Sequence, residues 1–179
     1  MTDDTDADLV LRCRSGDRLA FDALLTRYER RIFNAAFRIL HHSEDAIDVT
    51  QTAFLNAYEH LGSYDPHQQF SSWLYRIVVN QALDLVRGRR SSESLTEEAP
   101  DDHDGPDELA IREQSETAMQ RALMALKVDY RVVIVLKHVQ GLSYEEMAQV
   151  LDCPVKTVKS RLFTARQALR DILVARREF

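Results

Sequence analysis

Between Val155 and Arg170 the sequence VKTVKSRLFTARQALR carries five Lys or Arg residues and no Asp or Glu, in a chain whose formal net charge is −6. At the helical period of roughly 3.6 residues, Lys156, Thr157, Ser160 and Thr164 share one side, with Lys159 and Arg161 flanking them. Cations hold phosphates, and the hydroxyls and Lys156 can reach base edges. The pattern supplies what a short helix needs in a DNA major groove. A helical hairpin with a solvated basic face has the same composition, and the segment alone leaves that alternative open.

Two further groups could do chemistry of a non-covalent kind. A polar loop from Ser63 to Gln69 carries Tyr64, Pro66 and His67, and is followed by Phe70, Trp73, Arg76, Asn80 and Gln81. Rings to stack on beside guanidinium and amide donors can hold an unstacked base, although Phe70 and Trp73 suit a hydrophobic core equally well. Upstream, Asp48, Gln51, Thr52, Leu55 and Glu59 line one face of EDAIDVTQTAFLNAYEHL, away from a seam of small residues at Ala46, Val49, Ala53 and Ala57. The seam lets a neighbouring helix pack closely, and the other face suits either solvent or a partner protein.

Enzyme chemistry has no comparable support. There is no nucleophile–base grouping, and five glycines in the whole chain leave no glycine-rich phosphate loop. His41 and His42 are adjacent, point apart on a helix and lack a third ligand, and Cys13 and Cys153 lie far apart without a CxxC partner. No catalytic residue, cofactor, metal site or disulfide is expected. An acidic chain is not a generic polyanion binder, so any nucleic-acid surface must be local. The acidic start MTDDTDAD and the short aliphatic run from Val132 to Leu136 indicate neither secretion nor membrane insertion.

The elements that must position these groups are helices. Ser143 and Glu146 form a capping box that starts a helix at Tyr144; Asp152-Cys153-Pro154 interrupts it, and Pro154 suits the first position of the next. Val155, Val158, Leu162, Ala165, Leu169 and Ile172 then mark the buried stripe of the basic helix. Earlier, Asp8 to Ser15 forms a short helix ended by Gly16, and Asp17 caps a long one running to Leu40. Ser43 is expected to cap the helix that Gly62 stops, and Ser71 the helix that runs to about Arg87. From Glu93 to Glu108 there are eight acidic residues, no Lys or Arg, and Pro100, Gly105 and Pro106, a composition that cannot fold alone. Helical spacing resumes near Glu108 to Leu126, and Tyr130 to Val139 makes an apolar helix. The fold class is therefore all-α, with small helical domains over 1–90 and 108–179 joined by a flexible acidic linker over 91–107.

These segments, in this order, resemble the extracytoplasmic-function (ECF) group of the bacterial sigma-70 family of RNA polymerase sigma factors over nearly the full chain. DAIDVTQTAFLNAYEHL is similar to the polymerase-binding helix of sigma region 2, FSSWLYRIVVNQALDLVRGRR to its promoter-opening helix, and GLSYEEMAQVLDCPVKTVKSRLFTARQALR to the helix-turn-helix of sigma region 4. The resemblance implies that Asp45, Asp48, Gln51, Leu55 and Tyr58 grip the clamp helices of the largest core polymerase subunit. It implies that Tyr64, His67, Phe70, Trp73, Arg76 and Asn80 capture a base flipped from the minus-ten element. Lys156, Thr157, Lys159, Ser160, Arg161 and Thr164 would read the minus-thirty-five element. Core polymerase and promoter DNA are the implied partners, with an anti-sigma factor covering the Asp48 face or seated between the domains. The implied protein is cytoplasmic, monomeric when free, and not itself an enzyme.

Three departures from the family pattern bear on this. Ile47 and Thr52 stand where acidic residues are usual, which lowers the negative charge of the docking helix. Asp152 replaces the common turn glycine, and Asp tolerates the left-handed conformation better than most residues. Arg76 and Ile77 stand where housekeeping sigma factors carry a tryptophan pair. A stand-alone dimeric helix-turn-helix regulator is the rival class, and it would leave the Asp48 face and the Tyr64 loop without a purpose.

Overall fold

The computed structural model describes residues 4–93 and 118–175, and every regular element among them is helical. Helix α1 spans Asp6–Arg14 and opens on a capping box in which the Asp8 amide donates to Thr5 Oγ1 (3.2 Å) and the Thr5 amide to Asp8 Oδ2 (3.1 Å). Asp17 accepts from the Leu19 amide and starts α2, Arg18–Leu40, which buries Leu24, Ile32, Ala35, Ala36 and Ile39 completely. Helix α3 spans Ser43–His60 and runs into a 3-10 turn, Leu61–Ser63. Helix α4 spans Phe70–Glu93. The small seam of α3 packs as its spacing predicts, with Ala46, Ala53 and Ala57 wholly buried.

Helical residues 118–124 begin the second part of the chain. Helix α5, Val128–Ile134, passes into a π-helical turn over Val135–Val139; helix α6 spans Tyr144–Leu151 and α7 spans Val155–Ala175. The Ser143–Glu146 capping box is present with both bonds made, at 3.1 and 2.6 Å. A box of this kind is worth about 1 kcal/mol to a helix of only two turns. Asp152 takes the left-handed conformation (φ 49°) that the turn between α6 and α7 requires.

Several boundaries differ from expectation. His42, not Ser43, is the N-cap of α3: its Nδ1 accepts from the Asp45 amide at 3.3 Å, while His41 closes α2 in the left-handed conformation (φ 53°). The two histidines are thus consumed by back-to-back caps. Ser71 lies inside α4, which starts one residue earlier at Phe70 and extends past Arg87 to Glu93, so the first three residues expected in the linker are helical. The remainder of that linker, with the expected helix start near Glu108, falls outside the described residues. Pro154 is outside α7, where its carbonyl accepts from Thr157 and Val158.

The two parts share one continuous apolar core, with α4 in the middle. Leu74, Tyr75, Val78, Val79 and Ala82 of α4 are essentially inaccessible, and the helix packs on α2, α3 and α6 at once. The π turn lets the Gln140 amide bond back to the Val135 carbonyl, and the buried Gln140 side chain accepts from the Tyr75 hydroxyl at 2.7 Å. Arg131 on α5 is also buried. Its guanidinium donates to the carbonyls of Leu123 (2.9 Å), Met124 (2.9 Å) and Leu126 (3.2 Å), and to Ile39 at the end of α2 (2.5 Å). Four carbonyls at two helix ends replace water around a charge that cannot be shed. Replacing Arg131 with Ala strands these acceptors. Chemical denaturation of Arg131→Ala should show a loss on the order of 3 kcal/mol, with Arg131→Lys recovering only part of it because an ammonium cannot span the fork.

Candidate nucleic-acid interface

Helix α7 is held by Val158, Leu162 and Ala165 against the rest of its hairpin, which turns its other side outward. Lys156, Lys159, Ser160 and Thr164 are exposed, and Thr157 is half-buried. The Ser160 hydroxyl donates to the Thr157 carbonyl (3.0 Å) and the Thr164 hydroxyl to the Ser160 carbonyl (3.2 Å), which leaves both oxygens facing out as acceptors. The Lys159 ammonium lies 5.3 Å from the centre of the Tyr144 ring, and Lys137, at 4.7 Å, shares that ring while donating to the Leu142 carbonyl. Further along, Arg166 donates to His138 Nε2 at 3.2 Å. Burial, and then the Arg166 and Lys137 charges, lower the His138 pKa, so the ring stays a neutral acceptor.

Arg161 departs from the rest of this surface. It is half-buried and faces α4 across a cleft of about 300 Å³ that Asn80, Leu83, Arg87 and Asp129 also line. Arg76, on the same side of α4, pairs with Asp152 in the hairpin turn at 3.2 Å. Asn80, expected at one DNA element, therefore lines the same cleft as Arg161, expected at the other, and Arg76 is tied to the hairpin turn.

At the loop before α4, Tyr64 and Phe70 are core residues, 5% and 2% exposed. Their rings pack with Trp73 at centroid separations of 5.2 and 5.8 Å, and Phe70 also meets Tyr28 at 5.6 Å. The Tyr64 hydroxyl donates to the Gln68 carbonyl, closing the loop on itself. Both rings, expected to meet a base, are thus packed among other aromatic side chains beneath the loop surface. Trp73 is half-buried, while His67 and Asn80 are exposed.

On α3, Asp48, Gln51, Thr52, Leu55 and Tyr58 are exposed together with Ile47, and Leu55 is 64% accessible. An apolar groove of about 380 Å³ runs beside them, lined by Phe21, Leu25, Phe54, Leu55 and Tyr58. Asp45 does not belong to this outward face. Its carboxylate is turned inward and paired with Arg89 of α4 at 2.5 Å, which leaves little of its charge for a partner.

Three features escaped the sequence pattern. Phe163 is 65% exposed on α7, an apolar residue off the buried stripe, and that misplacement was the available signal. Lys137 and Tyr144 back the basic surface from the π turn and from α6. A groove of about 560 Å³ along α7, lined by Met119, Leu123, Val139, Leu169 and Leu173, is apolar; its residues come from three elements, so no local period reveals it. Among the described residues no three His, Cys, Asp or Glu side chains are grouped to hold a metal, and no helix is long and apolar enough to cross a membrane.

Residues 24–92 match the sigma-70 region 2 family and residues 116–169 match sigma-70 region 4. The chain is 39% identical over 177 residues to the ECF RNA polymerase sigma-E factor of Escherichia coli, covering 92% of each. Among solved structures it is similar to CnrH in complex with the cytosolic domain of CnrY, with a TM-score of 0.75 and 31% identity over 96% of this chain and 99% of that one. It is also similar to the sigma factor RpoE in complex with the anti-sigma factor NepR from Bartonella quintana, with a TM-score of 0.69 and 25% identity over 86% and 96% of the two chains. With region 2 carrying the α3 face and the aromatic loop, and region 4 carrying the basic hairpin, the chain belongs to the ECF group of the sigma-70 family of RNA polymerase sigma factors.

Proposed function

We propose that residues 1–90 bind core RNA polymerase through the exposed α3 face and hold the melted minus-ten strand, while residues 108–179 read the minus-thirty-five duplex with α7. Polymerase performs the chemistry, and the protein acts beside it in the cytoplasm. The observation that carries this is the outward basic side of α7, where Lys156, Lys159, Ser160 and Thr164 are exposed on the second helix of a capped hairpin. The cations balance phosphates, and Lys156, near the start of the helix, is placed for a base edge. Asp48, Gln51, Leu55 and Tyr58 form the polymerase-binding face. Exposed apolar side chains among polar ones suit a protein surface, and Asp45 serves instead to fix α3 to α4.

His67, Trp73, Arg76 and Asn80 take the extruded base, with Tyr64 and Phe70 as the scaffold beneath them. Unstacking a base costs a few kcal/mol, which these contacts and core binding offset together. The two promoter elements lie roughly 25 base pairs apart, on the order of 85 Å along the duplex. Arg161 and Asn80 line one cleft, so both elements cannot be read in this arrangement. The domains must part on promoter DNA. The compact form is the one that an anti-sigma factor would hold, in keeping with the likeness to a sigma factor solved in complex with an anti-sigma factor.

Mixing the protein with bacterial core polymerase and sequencing transcripts started on genomic DNA should reveal new start sites sharing upstream elements; no binding to core would overturn the proposal. Lys156→Ala should shift which promoters are used, costing about 1–3 kcal/mol at one base position, whereas an equal loss at all promoters would make Lys156 a phosphate contact. Ile47→Glu and Thr52→Glu restore negative charge to α3 and should tighten core binding; unchanged affinity for both would mean that charge at these positions does not limit docking.

A further inference from the structure

Arg14, in the last turn of α1, reaches across to the start of the aromatic loop. Its Nε and Nη2 donate to the Leu61 carbonyl (3.1 and 2.9 Å), and Nη2 also donates to the carbonyls of Gly62 (3.3 Å) and Tyr64. These acceptors lie just beyond the C-terminal end of α3, where carbonyls left over by the helix favour a cation. The guanidinium carbon is 6.0 Å from the centre of the Tyr64 ring. Tyr64 then carries the connection onward: its hydroxyl donates to the Gln68 carbonyl, and its ring packs on Trp73 at 5.2 Å.

Helix α1 is itself anchored away from the loop. Asp6 pairs with Arg27 of α2 (2.5 Å) and accepts from the Tyr28 hydroxyl, and these bonds tie α1 down; the Arg12–Asp17 pair (2.7 Å) is largely solvated and adds little. A rigid support, one guanidinium and the carbonyls of Leu61, Gly62 and Tyr64 make a chain of fixed geometry that ends beside His67 and Trp73. The fork of an arginine can serve several carbonyls at set angles, which an ammonium cannot. Loops are precise only where such contacts fix them.

We infer that Arg14 is a positioning residue for minus-ten recognition: it sets the Tyr64–Gln69 loop in the conformation that receives the extruded base. This rests on the proposed role of that loop. The contribution is to discrimination between bases, because a loop freed of Arg14 still offers the same side chains but no longer at fixed distances.

The test uses the holoenzyme formed with bacterial core polymerase. The probes are single-stranded oligonucleotides carrying the mapped minus-ten sequence or single-base changes in it. The readout is the ratio of affinities for matched and changed strands. Arg14→Ala should lower this ratio about tenfold while core binding is unchanged, and Arg14→Lys should restore only part of it. Arg12→Ala removes a contact of the same helix without touching the loop, and should leave the ratio at its wild-type value. If Arg14→Ala and Arg12→Ala lower the ratio equally, or if Arg14→Ala keeps full discrimination while His67→Ala or Asn80→Ala loses it, the inference fails alone. If His67→Ala and Asn80→Ala also discriminate normally, the role of the loop itself has failed.

Discussion

A buried guanidinium governs how the two halves of this chain meet. Arg131 carries a permanent charge into a place where water does not follow, so its donors must be answered by protein oxygen. Three of the answering carbonyls belong to the segment just before α5, and the fourth, of Ile39, belongs to the last turn of α2. Both are places where helices leave acceptors unspent. The position of the α2 end relative to α5 follows, and with it the position of the hairpin that α5 supports. The Gln120 amide repeats the pattern less deeply, exchanging bonds with the side chain and carbonyl of Arg38 at 3.1 and 3.2 Å.

Helix α4 is the other shared element, and it serves two purposes that compete. Its apolar side lies at the centre of the shared core, and the Tyr75 hydroxyl, whose pKa is raised by burial, is committed to Gln140. Arg76 and Asn80, one and five positions later, are the groups suited to DNA. They face Asp152 and Arg161 of the hairpin. On the proposed function, the helix that must be free to hold a melted strand is the helix that the basic hairpin packs against. Arg76 illustrates how lightly the exposed part of this contact is held: its pair with Asp152 is largely solvated, and such pairs contribute about 0–1 kcal/mol.

Local physics made much of this legible before any coordinates. The Ser143–Glu146 box, the left-handed Asp152 and the stripe of α7 each depend on residues within one or two turns, so spacing alone reveals them. The seam of α3 was visible for the same reason. Polar residues with distant partners were not. Arg131 and Gln140 sit in or beside an apolar run, and their partners at Ile39 and Tyr75 are 92 and 65 residues away. Asp45 has the composition of an exposed docking residue, and only the approach of Arg89 turns it inward. The burial of Tyr64 and Phe70 was hidden for a related reason, because an aromatic that stacks on a base and one that stacks on Trp73 have the same sequence signature. His42 took the cap from Ser43 because both residues can accept a bond there, and type alone does not rank them.

The balance between compact and parted forms follows from what parting exposes. Val79 and Leu83 of α4 lie across the cleft from Val132 and Leu151, and separation would return apolar surface to water at about 25 cal/mol per Å². It would also leave the Tyr75 hydroxyl and the Gln140 amide to find water instead of each other. The free chain therefore favours the compact form, in which Arg161 and Arg76 are turned toward protein and not DNA. A ligand shifts such an equilibrium only by its difference in affinity for the two forms. Promoter DNA alone meets a partly covered surface. On the proposed function, core polymerase gains contacts to both regions only when they are apart, and it can supply the missing free energy. On that proposal an anti-sigma factor would have the easier task, since it need only add to contacts that the chain already makes with itself.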